Sequence, residues 1–401
     1  MLTAVVRNTR PIRDVLRTAG VPRLLAADLI GRLPTGMAAL ALVLLARYRG
    51  ADYTLAGLLA GGFAVGQAIG GPVLARLVDR TRQPPVLVGA AFVAAIAFGA
   101  LAFIDLAGQP IVAIALVVLA GAATPPLEPC LRALWSLLLP DQRAVHAAYS
   151  LDAAAQELLF VGGPLVVVAS VSVFGGTAGI LVAAAVGLVG AAWFATAGPA
   201  RRWRGAPGER HWAGALRSGR LARLLVMLVF AGGAVGTFTV AVTAFAEQAG
   251  VRPAAGWLVT ANGLGALIGG LVYTAVPAGR DPSARLRLLA GCLALGFLPL
   301  ALTPNVWIGL PLAVLSGLFL PPVLACAFIL VDQLAPPGTV TEAFAWVVTA
   351  FSVGYATGSA VAGYLADHVG AAAGLWAAVA GGVLATLVSV PRFAPAMSQE
   401  G

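Results

Sequence analysis

Polar residues along the chain gather in short clusters, and between them run long apolar stretches that do not alternate residue by residue as half-buried strands do. Twelve such stretches can be drawn, at roughly 24–46, 54–78, 85–106, 110–136, 147–172, 176–198, 222–246, 256–277, 286–304, 307–331, 342–366 and 371–391. Each is close to the ~20 residues a helix needs to cross a ~30 Å hydrocarbon core. Barrel strands would show about ten residues of polar and apolar alternation. The pattern therefore predicts an all-α integral membrane protein with twelve transmembrane spans, each boundary good to about four residues.

Composition excludes the main alternatives. Hydrophobic side chains make up 60% of the 401 residues and charged ones 10%, whereas soluble domains carry about a quarter charged. A soluble enzyme and a disordered chain are both ruled out. Cys130, Cys292 and Cys326 all fall in apolar runs and read as packing residues rather than a disulfide framework.

The net charge of +9 comes from 25 arginines and no lysine. With the N-terminus inside, all but five arginines fall in inner loops, as the positive-inside rule expects. The outside receives Arg47, Arg49 and Arg252, while Arg32 and Arg132 lie within spans. The surplus is thus topological and predicts no nucleic-acid partner. Alanine, glycine and arginine bias points to a GC-rich bacterial genome, so the expected location is a bacterial cytoplasmic membrane with both termini cytoplasmic. The first span is far longer than a signal-peptide core, and no processing is expected.

The one long inner connection, 199–221, is arginine-rich and lies at the midpoint. A shift of 196 residues places Leu119, Gly121, Pro125, Pro126, Cys130 and Pro140 on Leu315, Gly317, Pro321, Pro322, Cys326 and Pro336. The chain divides into two parallel six-helix halves, 1–198 and 222–401, joined by the linker 199–221.

This organisation resembles the major facilitator superfamily. The loop after span 2 reads Ala75-Arg76-Leu77-Val78-Asp79-Arg80-Thr81-Arg82-Gln83-Pro84 against the family's G-x-L-A-D-R-x-G-R-R: Leu77, Asp79 and Arg80 match, while Ala75 and the tail from Arg82 to Pro84 depart. The equivalent loop around Ala278 to Arg280 lacks the acid. Gly162-Gly163-Pro164 in span 5 is similar to the core of a motif in drug/proton antiporters of this superfamily. The resemblance implies that spans 1, 4 and 10 line a central pathway and that the protein works as a monomer. It also sets Asp79 against the start of span 11 at Thr341-Glu342-Ala343 when the inner side is closed. There Glu342 is expected to meet Arg80.

Ionisable groups inside spans are costly and mark function. The set is Asp28, Arg32, Glu128, Arg132, Asp152 and Glu157, all in spans 1, 4 and 5. Asp28 with Arg32, and Glu128 with Arg132, are four residues apart and share a helix face. Reflecting span 4 onto span 5 through the turn near 142–143 sets Glu128 opposite Glu157 and Arg132 near Asp152. Two carboxylates at one depth cannot both ionise cheaply, so one should hold a transferable proton. Glu157, sharing with Glu128, is the expected coupling acid, with Asp152 in the same proton-coupling cluster and Arg132 as the cation that tunes it.

Pro125-Pro126 and Pro321-Pro322 are symmetry-related breakers and expected hinges, as is Gly163-Pro164. Gly61, Gly62, Gly66, Gly70 and Gly71 suit close helix crossings. Asn262, Trp346, Thr349 and Tyr355 are candidate substrate contacts, with Thr239 and Thr243 nearby in type. So sparse a polar set suits an apolar or amphipathic substrate. His146, His211 and His368 read as solvated loop residues.

The expectation is a secondary active transporter working by alternating access, with a small molecule as substrate, protons as co-substrate, the bilayer as its environment, and no cofactor or metal. Drug-efflux-like export is preferred. An uptake permease or uniporter for a small metabolite such as a sugar is the same-fold alternative. An intramembrane enzyme finds no supporting motif: there is neither H-E-x-x-H nor a P-loop lysine.

Overall fold

The computed structural model describes residues 15–205, 211–251, 253–274, 276 and 281–390. Arg252, the loop from Ala278 to Arg280 and the side chain of Glu157 lie outside the described residues. Among the described residues there is no strand, and twelve helices are long and apolar enough to cross a membrane. In order they are α1 Val21–Tyr48, α2 Tyr53–Arg80, α3 Gln83–Phe103, α4 Pro110–Leu138, α5 Gln142–Phe174 and α6 Ala178–Ala195, then α7 Gly219–Gln248, α8 Ala254–Thr274, α9 Pro282–Ala301, α10 Val306–Leu334, α11 Val340–His368 and α12 Ala371–Ser389. Helices suit these sequences because they satisfy their own interior backbone groups, which hydrocarbon cannot do.

Where a polar residue stands just before an apolar run, it fixes the helix start by accepting an orphan N–H. Asp52, Asp141, Ser218, Asp281 and Asn305 all do so. Capping explains the largest departure from hydropathy. Asp141 starts α5 at Gln142 rather than near 147, so Arg143 and His146 belong to a helix rather than a loop. Ser218 likewise places Arg220 and Arg223 in α7. Between the halves the chain forms a short helix, Gly198–Arg202, and a tight turn, Gly214–Arg217.

The two proline pairs both coincide with breaks. α4 divides into Pro110–Ala122 and Leu127–Leu138, with Pro125 and Pro126 in the gap. α10 divides into Val306–Gly317 and Leu320–Leu334, with Pro321 and Pro322 in the first turn of the second segment, where no N–H partner is needed. By contrast α5 continues unbroken through Pro164.

Glycine sets the closest crossings, and it does so symmetrically. Gly66 and Gly70 leave α2 no room for a Cβ against the backbone of Val118 and Ala122 in α4, as Gly265 and Gly269 of α8 do against Val314 and Leu318 of α10. Gly163 of α5 meets the Gly36 backbone of α1 in the same manner, while Gly61 and Gly71 face open space.

The buried apolar residues form one large cluster shared by the two halves, running through Leu24, Trp135, Tyr149, Met227, Phe328 and Phe344. A second cluster, around Met37, Phe63, Phe98 and Ile180, stays within the N-terminal half. The halves meet through α2 with α11, α5 with α8 and α10, and the second segment of α4 with α11.

Candidate functional site

Five of the six predicted intramembrane ionisable residues converge in the N-terminal half. Arg32 on α1 is ion-paired with Asp28 at 3.0 Å, Glu128 at 2.8 Å and Asp152 at 3.0 Å. Arg132, on the second segment of α4, is paired with Glu128 at 2.5 Å and Asp152 at 2.7 Å. The one-turn spacings put each acid beside its own arginine, and α5 then supplies Asp152 between the two cations. Glu128, expected opposite Glu157, bridges Arg32 and Arg132. It is the most accessible member, at 13% side-chain exposure.

Three carboxylates therefore share two guanidinium groups. Asp28 Oδ1 and Arg132 Nη1 are buried with no hydrogen-bond partner, so the cluster has both an excess of negative charge and spare bonding capacity. Buried ions are tolerated only when paired, which makes the cluster sensitive to the gain or loss of one proton. On its far side the Arg132 guanidinium lies over the Phe328 ring, 3.6 Å from the centroid, and Phe328 belongs to the other half.

A second cross-half arrangement closes the side that carries the linker. The buried Asp79 carboxylate, at the end of α2, accepts the Thr341 N–H at 3.1 Å and the Glu342 N–H at 2.8 Å. These are orphan donors of the first turn of α11, at the positive end of its dipole. Glu342 does not meet Arg80, as expected from the motif; it pairs with Arg76 at 2.5 and 3.0 Å. Arg76 and Arg80 lie only about 40° apart around the helix, but Arg76 is one turn back within α2, beside Glu342, whereas Arg80 is the last residue of α2 and is exposed. Arg76 also donates to the carbonyl of Trp212 in the linker. Gly214, at φ 51°, leaves space that a Cβ would take from the Glu342 carboxylate and the Arg76 guanidinium. Linker, α2 and α11 are thus tied at one point. Thr349 adds a bond across the halves to the Ala68 carbonyl at 3.1 Å.

An aromatic group seals the neighbouring contact. Tyr149 of α5 packs on Phe328 of α10 and Phe344 of α11, with centroids 5.8 and 5.9 Å away. His146, predicted as a solvated loop residue, is instead buried on α5 with its ring 4.8 Å from Tyr273 of α8. Tyr273 in turn shares a hydrogen bond with Cys326 at 3.1 Å. These residues, with Arg76, were missed because each looks ordinary in sequence. The visible signal was a histidine and a tyrosine one turn apart at the start of a span.

The remaining candidates are dispersed. Asn262 donates to Ser316 at 2.9 Å, tying α8 to α10 inside one half. Trp346 donates to Glu342 at 3.3 Å and so belongs with the contact between α2 and α11. Tyr355 is exposed on α11. Thr239 and Thr243 hydroxyls bond carbonyls of their own helix. Among the described residues, no group of three or more His, Cys, Asp or Glu side chains is arranged to hold a metal ion.

The human organic anion transporter TETRAN has the same fold, with a TM-score of 0.69 at 18% identity over 92% of this chain and 99% of that one. A bacterial homologue of the iron transporter ferroportin, outward-facing and soaked with iron, gives 0.73 at 14% identity over 92% and 98%. The proton:xylose symporter XylE gives 0.68 at 14% over 95% of each chain. Among curated protein sequences, none matches significantly. The sequence profile of the Major Facilitator Superfamily matches residues 25–280 and 224–399. With twelve spans in two broken-helix halves and the profile running almost end to end, the chain belongs to the major facilitator superfamily of membrane transporters.

Proposed function

We propose that this transporter is a proton-coupled exporter of small apolar or amphipathic molecules, working by alternating access in a bacterial cytoplasmic membrane with its linker side facing the cytoplasm. The observation that carries the reading is the buried cluster in which Asp28, Glu128 and Asp152 share Arg32 and Arg132. Its uncompensated negative charge is what a proton arriving from the outer side would relieve, and Glu128 is the most exposed of its three acids. Glu128 thus becomes the favoured coupling acid, with Asp28 and Asp152 setting its field and Glu157 retained as a comparator.

In the cycle, protonation removes the charge excess, the halves rock, and water reaching the cluster from the linker side takes the proton away. The Asp79 contact with α11 holds that side shut in between. The breaks at Pro125-Pro126 and Pro321-Pro322 serve as hinges for the rocking, and Gly163-Pro164 for a smaller bend. The substrate class follows from how few polar side chains are left over: Asn262, Thr239 and Thr243 are occupied within their own half. Trp346, Thr349 and Tyr355 then supply aromatic and weakly polar contacts from α11 as the gate moves.

The test is proton movement in everted vesicles, followed with a pH-sensitive dye during addition of lipophilic cations, neutral antibiotics and sugars. A compound should dissipate the gradient with the wild type and fail with Glu128→Gln. Loss in Glu157→Gln alone would move the coupling role to Glu157. Silence across the panel would instead support an uptake permease or uniporter for a small metabolite.

A further inference from the structure

We propose that Phe328 is a positioning residue for coupling, the point at which the C-terminal half reads the charge state of the ion cluster through Arg132. The inference rests on the proton-coupling reading above and adds the path by which protonation reaches the gate. Arg132 is held by the N-terminal half on one side and faces the C-terminal half on the other. Its Nε donates to Asp152 and its Nη2 is ion-paired with Glu128, neither Nη1 nor Nη2 makes a hydrogen bond, and the guanidinium carbon lies 3.6 Å from the Phe328 ring centroid. The ring face supports the cation's charge on this side, since an aromatic quadrupole attracts a guanidinium most strongly where water is excluded.

Phe328 has little freedom to follow another partner. It is 1% exposed, packed on Tyr149 and Phe344 in the second segment of α10, beyond the proline break. The charged and titratable groups around Arg132 are Asp28 and Arg32 on α1, Glu128 on its own helix, and Asp152 and Tyr149 on α5. From the other half come Asp332, one turn past Phe328 and near Ser136, and Glu342 at the start of α11, tied to Arg76. A proton on Glu128 or Asp152 weakens the hold on Arg132 from the acid side. Held by one carboxylate where it had two, the guanidinium gains more from water, so hydration by parting α4 and α5 from α10 and α11 becomes favourable. With the acids ionised, Arg132 stays between carboxylates and ring, and the linker side stays closed.

The test uses spin labels at Gln142→Cys and Gln333→Cys, both exposed, on α5 and α10, with Cys130, Cys292 and Cys326 replaced by alanine. The distance in this parent should be short at alkaline pH and lengthen on acidification. Phe328→Leu, which keeps an apolar side chain without the ring, should be long at both, its closed:open ratio lowered about 10- to 30-fold. Phe328→Tyr should restore the parent's pH response. Phe344→Leu removes a ring that does not stack on Arg132 and should also retain it; an equal shift there would reduce the effect to packing and overturn the role. If Phe328→Leu does not fold, Phe328→Met gives the same reading. A parent that responds to pH alongside a Phe328→Leu that responds equally would overturn the role of Phe328 alone. A parent unmoved by pH would overturn the proton-coupling reading beneath it.

Discussion

Asparagine at position 79 removes a charge while keeping shape, and its cost can be worked from the geometry. The Asp79 carboxylate holds two backbone donors, at 3.1 and 2.8 Å, and is 8% exposed. Asparagine can accept one of these bonds with its carbonyl, but its amide nitrogen then faces the second N–H and leaves that donor unpaired. A hydrogen bond to a charged group is worth about 1.5–3 kcal/mol, and an anion at a helix N-terminus adds about 0.3–1 kcal/mol. The closed arrangement should lose about 3 kcal/mol, or roughly 100-fold in the ratio of closed to open forms. The assay is alkylation of a single cysteine at Ala343, which is fully buried beside the gate, in a background without native cysteines. An impermeant maleimide applied to the linker side labels in proportion to the open fraction. A rate within about threefold of the parent, in protein that unfolds at the parent's temperature, would refute the assignment of Asp79 as the main latch.

Other contacts give sharper contrasts. Arg76→Ala should speed the same alkylation by freeing Glu342, whereas Arg80→Ala should leave it unchanged; the reverse result would restore the motif-based pairing. Arg132→Met leaves Asp152 and Glu128 short of a cation, at a cost of about 3–5 kcal/mol, and should lower the detergent unfolding temperature, with partial recovery on adding Asp152→Asn. Strictly additive losses would mean that the two residues do not interact. Gly163→Val must push α5 off Gly36 and should abolish folded protein in size-exclusion profiles, while Gly61→Val, facing open space, should behave as wild type. Asn262→Ala and Ser316→Ala should each cost about 1 kcal/mol and be non-additive in unfolding; a loss confined to substrate affinity would reassign Asn262 to the binding site.

What the sequence by itself determined is whatever depends on local chemistry. Twelve spans are legible because lipid demands about twenty apolar residues and self-satisfied backbone, a requirement met within each segment alone. The one-turn pairs Asp28 with Arg32 and Glu128 with Arg132 follow from helical periodicity, whereas hydropathy alone started span 5 near 147 and passed over the Asp141 cap. The approach of Arg132 to Asp152 came from a hairpin, where a short turn constrains depth. Beyond that reach, contacts depend on how separate helices rotate and dock. Depth placed Glu128 opposite Glu157, but the rotation of α1 brought Arg32 in and made Glu128 a bridge between two arginines. The motif located Asp79 at the start of α11, yet only the docking of the helices decided which turn of α2 meets Glu342, and so Arg76 over Arg80. His146, Tyr149 and Phe328 were unremarkable apolar or loop residues until the halves met, because contacts 127 and 179 residues apart in sequence have no local signature. The contact between α2 and α11 exists only where surfaces of the two halves touch, and it is tertiary structure that brings them together.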